Sequence, residues 1–199
     1  MKQRVTRALF DYWNAVRGER PAPDRADVDA GAIRSCLPNT FILAFDPQDG
    51  HPFRVAGTSL CDMFGVELTK KPFAELWAAD QRPTLSGLLR TVAREQDGIV
   101  AGVSGRNAAA QTADLEMILL PLTSSKLDTG RILGALTPVS VPYWLGTLSL
   151  ETLRLGGLRF TRAPGHNRLA SDRRIIVRPG LVLYPASPNS TISTRLTRR

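Results

Sequence analysis

Thr40-Phe41-Ile42-Leu43-Ala44-Phe45-Asp46-Pro47-Gln48-Asp49-Gly50-His51-Pro52-Phe53-Arg54-Val55-Ala56-Gly57 is the stretch that sets the fold. Residues 40–45 are apolar at successive positions, the pattern of a strand buried on both faces. Asp46 to Gly50 has the composition of a turn, because Asp, Pro and Gly favour the backbone angles a reversal needs. Phe53 to Ala56 is then the second strand of a hairpin. Arg54 interrupts it and, by alternation, points opposite to Phe53 and Val55. It reads either as a structural partner of a carboxylate such as Glu67 or Asp62, or as a ligand-binding residue. Gly57 stands where the strand turns sharply into a helix, a turn eased by the missing Cβ. Thr58 or Ser59 caps that helix, and Gly65 stops it.

Working outward toward the C-terminus, Pro72 to Trp77 reads as a short helical piece. Thr84 to Gln96 is a helix with one apolar stripe of Leu85, Leu88, Leu89 and Val92. Three strands follow, Ile99–Ser104, Ala113–Leu122 and Arg131–Val139, the last two forming an antiparallel hairpin. The apolar segment Trp144–Leu158 reads as an irregular or helical appendage. Ile175-Ile176-Val177 and Leu181 to Tyr184 have the composition of short strands. Toward the N-terminus, a short helix is expected near 30–36, capped by Asp27 or Asp29. Residues 3–17 form an amphipathic helix with Val5, Leu9, Tyr12, Trp13 and Val16 on one side. Arg4, Arg7, Asp11 and Arg17 lie off it, and Gly18 stops it. About fifteen residues are marginal as an isolated helix, so this face packs on the chain's own sheet or on a second copy.

The element order predicts an α+β fold: five antiparallel strands with helices on one face, preceded by the N-terminal helix. The expected divisions are 1–39 for helix and connection, 40–160 for the domain with its appendage, and 161–199 for a basic tail.

Charge separates the same parts. Residues 1–153 hold 16 Lys and Arg against 17 Asp and Glu, a net of −1. Residues 154–199 hold ten Arg and a single acid, Asp172, a net of +9. Such asymmetry marks an interaction tail, and clustered Arg can neutralise phosphates of a nucleic acid or another acidic partner. Few aromatics accompany these arginines (Phe160, Tyr184), and Asn189 to Ser193 lacks the pattern of a cyclic-dinucleotide reader. The start Met1-Lys2-Gln3-Arg4-Val5 has no apolar signal run, and no stretch approaches about 18 apolar residues, so cytoplasmic residence without a membrane span is expected.

No catalytic constellation emerges. Cys36 and Cys61 fall in apolar stretches and read as core packing, without metal-ligand spacing. His51 and His166 read as surface residues. Asp114 and Glu116 share one face of a strand and read as solvated. There is no Gly-x-Ser-x-Gly elbow and no phosphate loop. No metal is implied, and no cofactor is named by the residues.

The arrangement of two strands, short helices and three strands resembles the PAS sensory fold. The segments Arg54-Val55-Ala56-Gly57-Thr58-Ser59-Leu60, Met63-Phe64-Gly65-Val66-Glu67-Leu68-Thr69 and Pro72-Phe73-Ala74-Glu75-Leu76-Trp77 are similar to a PAS subgroup of alphaproteobacteria. Trp13 with Arg17-Gly18, Leu37-Pro38, Leu119-Leu120-Pro121-Leu122, Ile132-Leu133-Gly134-Ala135-Leu136 and Trp144-Leu145-Gly146 extend the likeness over about residues 5–160. Gly105-Arg106-Asn107-Ala108 resembles the flavin light-sensor motif but carries Ala where that motif has a reactive cysteine. The resemblance implies a non-enzymatic sensory or regulatory module that detects a small molecule or a signalling protein and relays the change through dimer contacts. A pocket would then lie between sheet and helical insert, walled by Leu60, Phe64, Trp77, Leu85 and Leu89 with Arg54, unless these side chains simply fill the core. Val5, Leu9, Tyr12, Trp13 and Val16 are the candidate contacts of a homodimer.

Overall fold

A computed structural model describes residues 1–123 and 130–161 in full, together with the backbone of 175–178 and 181–183. Helix α1 spans Arg4–Arg17, α2 Thr58–Phe64 and α3 Arg82–Glu95. The strands are β1 Thr40–Ala44, β2 Phe53–Ala56, β3 Gly98–Asn107, β4 Thr112–Leu122, β5 Arg131–Pro138 and β6 Leu150–Thr161. They form one antiparallel sheet in the order β2-β1-β5-β4-β3-β6. A separate two-stranded sheet joins β7 Ile175–Arg178 and β8 Leu181–Leu183.

The sheet has six strands rather than five. The segment expected as an irregular appendage supplies β6, paired with β3 from Asn107↔Leu150 to Gly98↔Thr161. Its register slips twice, between Ala101 and Val103 and between Arg106 and Asn107. The buried residues Leu150, Leu153, Leu155 and Leu158 are therefore spaced three, two and three apart. That spacing matches neither the strand period of two nor a clean helical face, which hides the strand in the sequence. The expected helix near 30–36 is a run of turns followed by the 3-10 helix Leu37–Asn39. The Pro72–Trp77 piece is a 3-10 helix at Phe73–Leu76.

Period-two alternation divides the sheet's side chains between two cores. Toward the inner face point Phe41 and Leu43, Ala101 and Val103, Leu115, Met117 and Leu119, packed against α2, α3 and the intervening segment. Toward the outer face point Ile42, Val100, Ile118, Leu120, Leu122, Leu133 and Ala135. Helix α1 covers that outer face, so helices lie on both sides of the sheet and not on one. Its apolar side packs on the chain's own strands.

Backbone of the insert covers both edges of the sheet. Lys70 N–H donates to Phe53 O at 2.8 Å and Phe53 N–H to Lys71 O at 3.0 Å, closing the open side of β2. At the far edge Ala78 N–H donates to Leu153 O at 3.0 Å, and Leu155 N–H to Gln81 Oε1 at 3.0 Å. Edge strands left bare are templates for aggregation, so this cover has a physical purpose.

Gly57 is required for close approach of the backbone rather than for the sharp turn the sequence suggests. Its φ of −72° is open to any residue, but a Cβ there would lie 2.1 Å from Leu37 O and 2.4 Å from Pro38 O. Gly87, on the exposed side of α3, has nothing within 4 Å of such a Cβ. Gly57→Ala is expected to lose about 2 kcal/mol or more through this backbone overlap. Gly87→Ala is expected to gain about 0.5–1 kcal/mol from helix propensity. Urea unfolding with an unchanged m value checks both, and a neutral Gly57→Ala contradicts the close approach.

Candidate functional site

The inner core gathers five of the six sequence-derived pocket residues. Leu60 and Phe64 come from α2, Leu85 and Leu89 from α3, and Trp77 from the segment between them; all are buried. Between them and the sheet stands a run of aromatic contacts, with Phe41–Phe73 at 5.4 Å, Phe53–Phe73 at 5.5 Å and Phe73–Trp77 at 5.7 Å between ring centres. Trp77 Nε1 is buried among them with no acceptor among the described residues. An orphaned buried donor costs about 1–3 kcal/mol, so an incoming acceptor would be favoured there.

Arg54 does not join this group. Its side chain is exposed and lines an open surface groove of about 580 Å³ with Asp49, Pro52, Lys70, Glu75 and Arg82. The strict alternation expected of β2 also fails, since Val55 is 44% exposed beside exposed Arg54. A register shift between Ile42 and Leu43 causes this. Neither Glu67 nor Asp62 pairs with Arg54; Glu67 instead accepts Thr69 N–H at 2.9 Å.

The outer face holds an arrangement that the sequence reading missed. Helix α1 begins at Gln3, which makes no side-chain cap, and has no acid in its first turn. Its free N–H groups and the positive end of its dipole therefore lack a local partner. Glu116 of β4 supplies one from the sheet, accepting Lys2 N–H at 2.8 Å, Gln3 N–H at 3.0 Å and the Thr6 hydroxyl. Asp114 is exposed as expected, but Glu116 is only 6% exposed, so the two carboxylates do not share a solvated face. The missing N-terminal cap of α1 was the readable signal that an acid had to come from elsewhere. About two turns after Thr6, Trp13, 1% exposed, donates from Nε1 to Pro121 O at 2.8 Å. Leu9, fully buried, lies between these two anchors.

The candidate dimer residues divide accordingly. Leu9 and Trp13 are buried on the chain's own sheet, while Val5, Tyr12 and Val16 are half-buried at its margin. Tyr12 Oη accepts Asp29 N–H at 2.6 Å. Arg17, expected off the apolar face, is 5% exposed; its guanidinium lies 5.5 Å from the Trp13 ring and donates to Asn14 Oδ1 and Arg20 O.

His51 is not a surface residue. A φ of 61° turns its ring beneath the first hairpin, where it is 1% exposed and 5.2 Å from the Phe45 ring. Neither ring nitrogen has a partner among the described residues. Burial holds its pKa below the ordinary 6.5, against the opposing pull of Asp46. Cys36 is buried and Cys61 half-buried, both as free thiols.

A family model for the PAS domain matches residues 1–137, from before α1 nearly to the end of β5. The chain belongs to the PAS-domain family. The match reaches the family and not the alphaproteobacterial subgroup. Solved structures similar to this PAS chain include a light-oxygen-voltage domain studied with a flavin analogue, at 15% identity and a TM-score of 0.43, covering 55% of this chain and 83% of that one. The PAS domain of Bordetella pertussis BvgS is similar at 18% identity and a TM-score of 0.40, covering 52% and 79%. The light-state structure of the blue-light photoreceptor Aureochrome1 LOV follows at 12% and 0.41, covering 60% and 94%. No curated protein matches significantly. A PAS fold fits a sensory or regulatory module. No helix among the described residues is long and apolar enough to cross a membrane.

Two titrations test this geometry. Burial raises the Glu116 pKa, but the donors Thr6, Gln3 and Lys2, with the Lys2 charge, outweigh it and leave it below 4.5. Its stabilisation is thus complete above 4.5 and is lost as pH falls through the lower folded value. At neutral pH Glu116→Gln should cost about 2–3 kcal/mol, and the gap from wild type should close on acidification. A gap independent of pH contradicts the cap. For His51 the folded state prefers the neutral ring, so stability falls as pH drops below 6.5 toward the lower folded value. Proton NMR should place the His51 midpoint below 6.5, and a midpoint at or above it contradicts the burial.

Proposed function

We propose that this PAS protein is a non-enzymatic cytoplasmic module that signals by docking and releasing α1 in response to a small-molecule ligand or a signalling protein. The observation that carries the reading is the attachment of α1 to the outer face. It rests on the buried side chains Thr6, Leu9, Trp13 and Arg17, on the Trp13–Pro121 hydrogen bond, and on one carboxylate, Glu116, that accepts Lys2 N–H and Gln3 N–H just ahead of the helix. A helix docked on a sheet by one face is a two-state element that a ligand can bias, provided the ligand binds one state more tightly.

Release would free Leu9 and Trp13, and with Val5, Tyr12 and Val16 they form the surface proposed for a homodimer. In the docked state the same residues serve the monomer's own core. The ligand side of the proposal is the inner core, where Trp77 Nε1 offers a donor beside Leu60, Phe64, Leu85 and Leu89. The alternative, nucleic-acid or acidic-partner binding through the Arg-rich tail, rests mostly on side chains outside the described residues; within them Arg154 is paired with Asp80, and no observation favours it.

Sedimentation equilibrium of the full chain tests the reading. Weakening the latch by about 2 kcal/mol shifts a docking equilibrium roughly thirtyfold. Glu116→Gln should therefore raise the dimer fraction over wild type at neutral pH. Faster amide exchange in α1 with an unchanged monomer–dimer balance would refute release as the route to a dimer.

A further inference from the structure

We propose that the groove between the first hairpin and the insert binds a short zwitterionic peptide of about three residues with free ends. The groove is one face of a two-stranded ribbon. Residues 50–53 run antiparallel to 70–74. Gly50 O accepts Ala74 N–H at 3.0 Å, His51 O accepts Phe73 N–H at 3.2 Å, and Pro52 bridges Pro72. Phe53 bonds to Lys70 and Lys71 through its O and N–H. Alternation then sorts the side chains. His51, Phe53 and Phe73, each 1% exposed, are turned inward. Gly50, Pro52 and Arg54, with Ala74, Pro72 and Lys70 opposite them, line the groove of about 580 Å³ on the other face. Small-molecule sites measure roughly 300–1,000 Å³, and the groove falls among them.

Charge is graded along this ribbon. At one end Gly50 and Ala74 are small, and Asp49 and Glu75, one residue further out on each strand, also line the groove. Pro52 and Pro72 make a middle that is apolar and has no N–H to donate. Arg54 and Lys70 close the other end. Arg82 lines the groove past Glu75, where its Nε–H is committed to Trp77 O at 3.1 Å. The two carboxylates therefore stand at one end and the Arg54–Lys70 pair of cations at the other. The described ion pairs, Arg20–Asp27 and Arg154–Asp80, do not join these ends across the groove. At about 3.4 Å per residue, the step from Gly50 to Arg54 separates the ends by roughly 13 Å at full extension.

The chemistry of the occupant follows from that spacing. A free amino acid carries its two charges too close together to meet both ends. A peptide spans about 3.3–3.6 Å per residue, so three residues place an ammonium beside Asp49 and Glu75 and a carboxylate beside Arg54 and Lys70. Small apolar side chains between them suit the proline floor. A polyanion would meet the carboxylates at one end, and a polycation the bases at the other, so neither fits the whole groove. Phe53 and Phe73, on the reverse of the ribbon, contact each other and Trp77, which puts the groove directly over the inner core.

The site does not depend on the sensory reading. Peptide binding that left the monomer–dimer balance unmoved would separate it from signalling without removing it. Titration of the full chain with tri-alanine at low salt, followed by backbone amide resonances, is the test. The amides of Gly50, Arg54, Lys70 and Ala74 should shift saturably. Acetylating the amino end or amidating the carboxyl end of the peptide should each weaken binding about threefold to fivefold, the scale of one exposed ion pair. Free alanine should fail to saturate over the same range. Variants of the exposed side chains assign the ends. With Asp49→Asn and Glu75→Gln together, acetylation should no longer matter. With Arg54→Gln and Lys70→Gln together, amidation should no longer matter. Arg90→Gln on α3 should change nothing. No saturable binding, shifts confined to other residues, blocked peptides that bind as well as the free one, or the opposite assignment of the ends would overturn the proposal.

Discussion

Strand β4 is buried on both faces, and the rest of the molecule follows from that. From Leu115 to Leu122 every side chain is nearly inaccessible: Leu115, Met117 and Leu119 meet the helical insert, while Ile118, Leu120 and Leu122 meet α1. An antiparallel sheet can leave one face to water; here residues of β2, β3 and β6 do face it, but the outer sides of β1, β5 and the second half of β4 are covered. A second layer is therefore obligatory on the outer side. The chain supplies it from its first helix, some hundred residues away in sequence from the strand it covers.

Covering an outer face with one fourteen-residue helix creates a polar problem at the helix start. The apolar contacts of Leu9 and Trp13 hold the middle of α1, but the N–H groups of Lys2 and Gln3 that lead into it would be left beside a buried sheet face. Glu116 resolves this by occupying an outward position of β4 that an apolar residue would otherwise fill. The same carboxylate is then a point of control, because losing it leaves the Lys2 and Gln3 N–H groups and the Lys2 charge without their partner over an apolar surface. Structural need and conformational switching meet in one residue, and the sensory character of the family gives that coincidence a use.

Much of this was legible in the sequence, and the exceptions have specific causes. The hairpin 40–56 and strands β3 to β5 were readable as apolar runs bounded by turn residues, and α3 by its helical stripe. The N-terminal helix was readable as amphipathic, though its partner was not: Leu9 and Trp13 suit a sheet and a second copy equally well. Strand β6 was hidden by two register slips, which stretch the leucine spacing. Glu116 was read as solvated because alternation assigns a face but says nothing about what covers that face. His51 was misplaced because a positive φ at a hairpin end sends a ring inward that composition assigns to solvent. Of the pocket residues, the five apolar ones lie together in the inner core, while Arg54 stands apart because it follows buried Phe53 on the strand and faces away from that core.

The central claim is that α1 is a separately releasable cover on a sheet that stays folded beneath it. Native-state amide hydrogen exchange of the full wild-type chain tests it most directly. The account predicts that the amides of α1 exchange together through an opening clearly cheaper than global unfolding, while those of β4 and β5 exchange only with the whole domain. Equal protection in α1 and β4, lost in a single step, would contradict it.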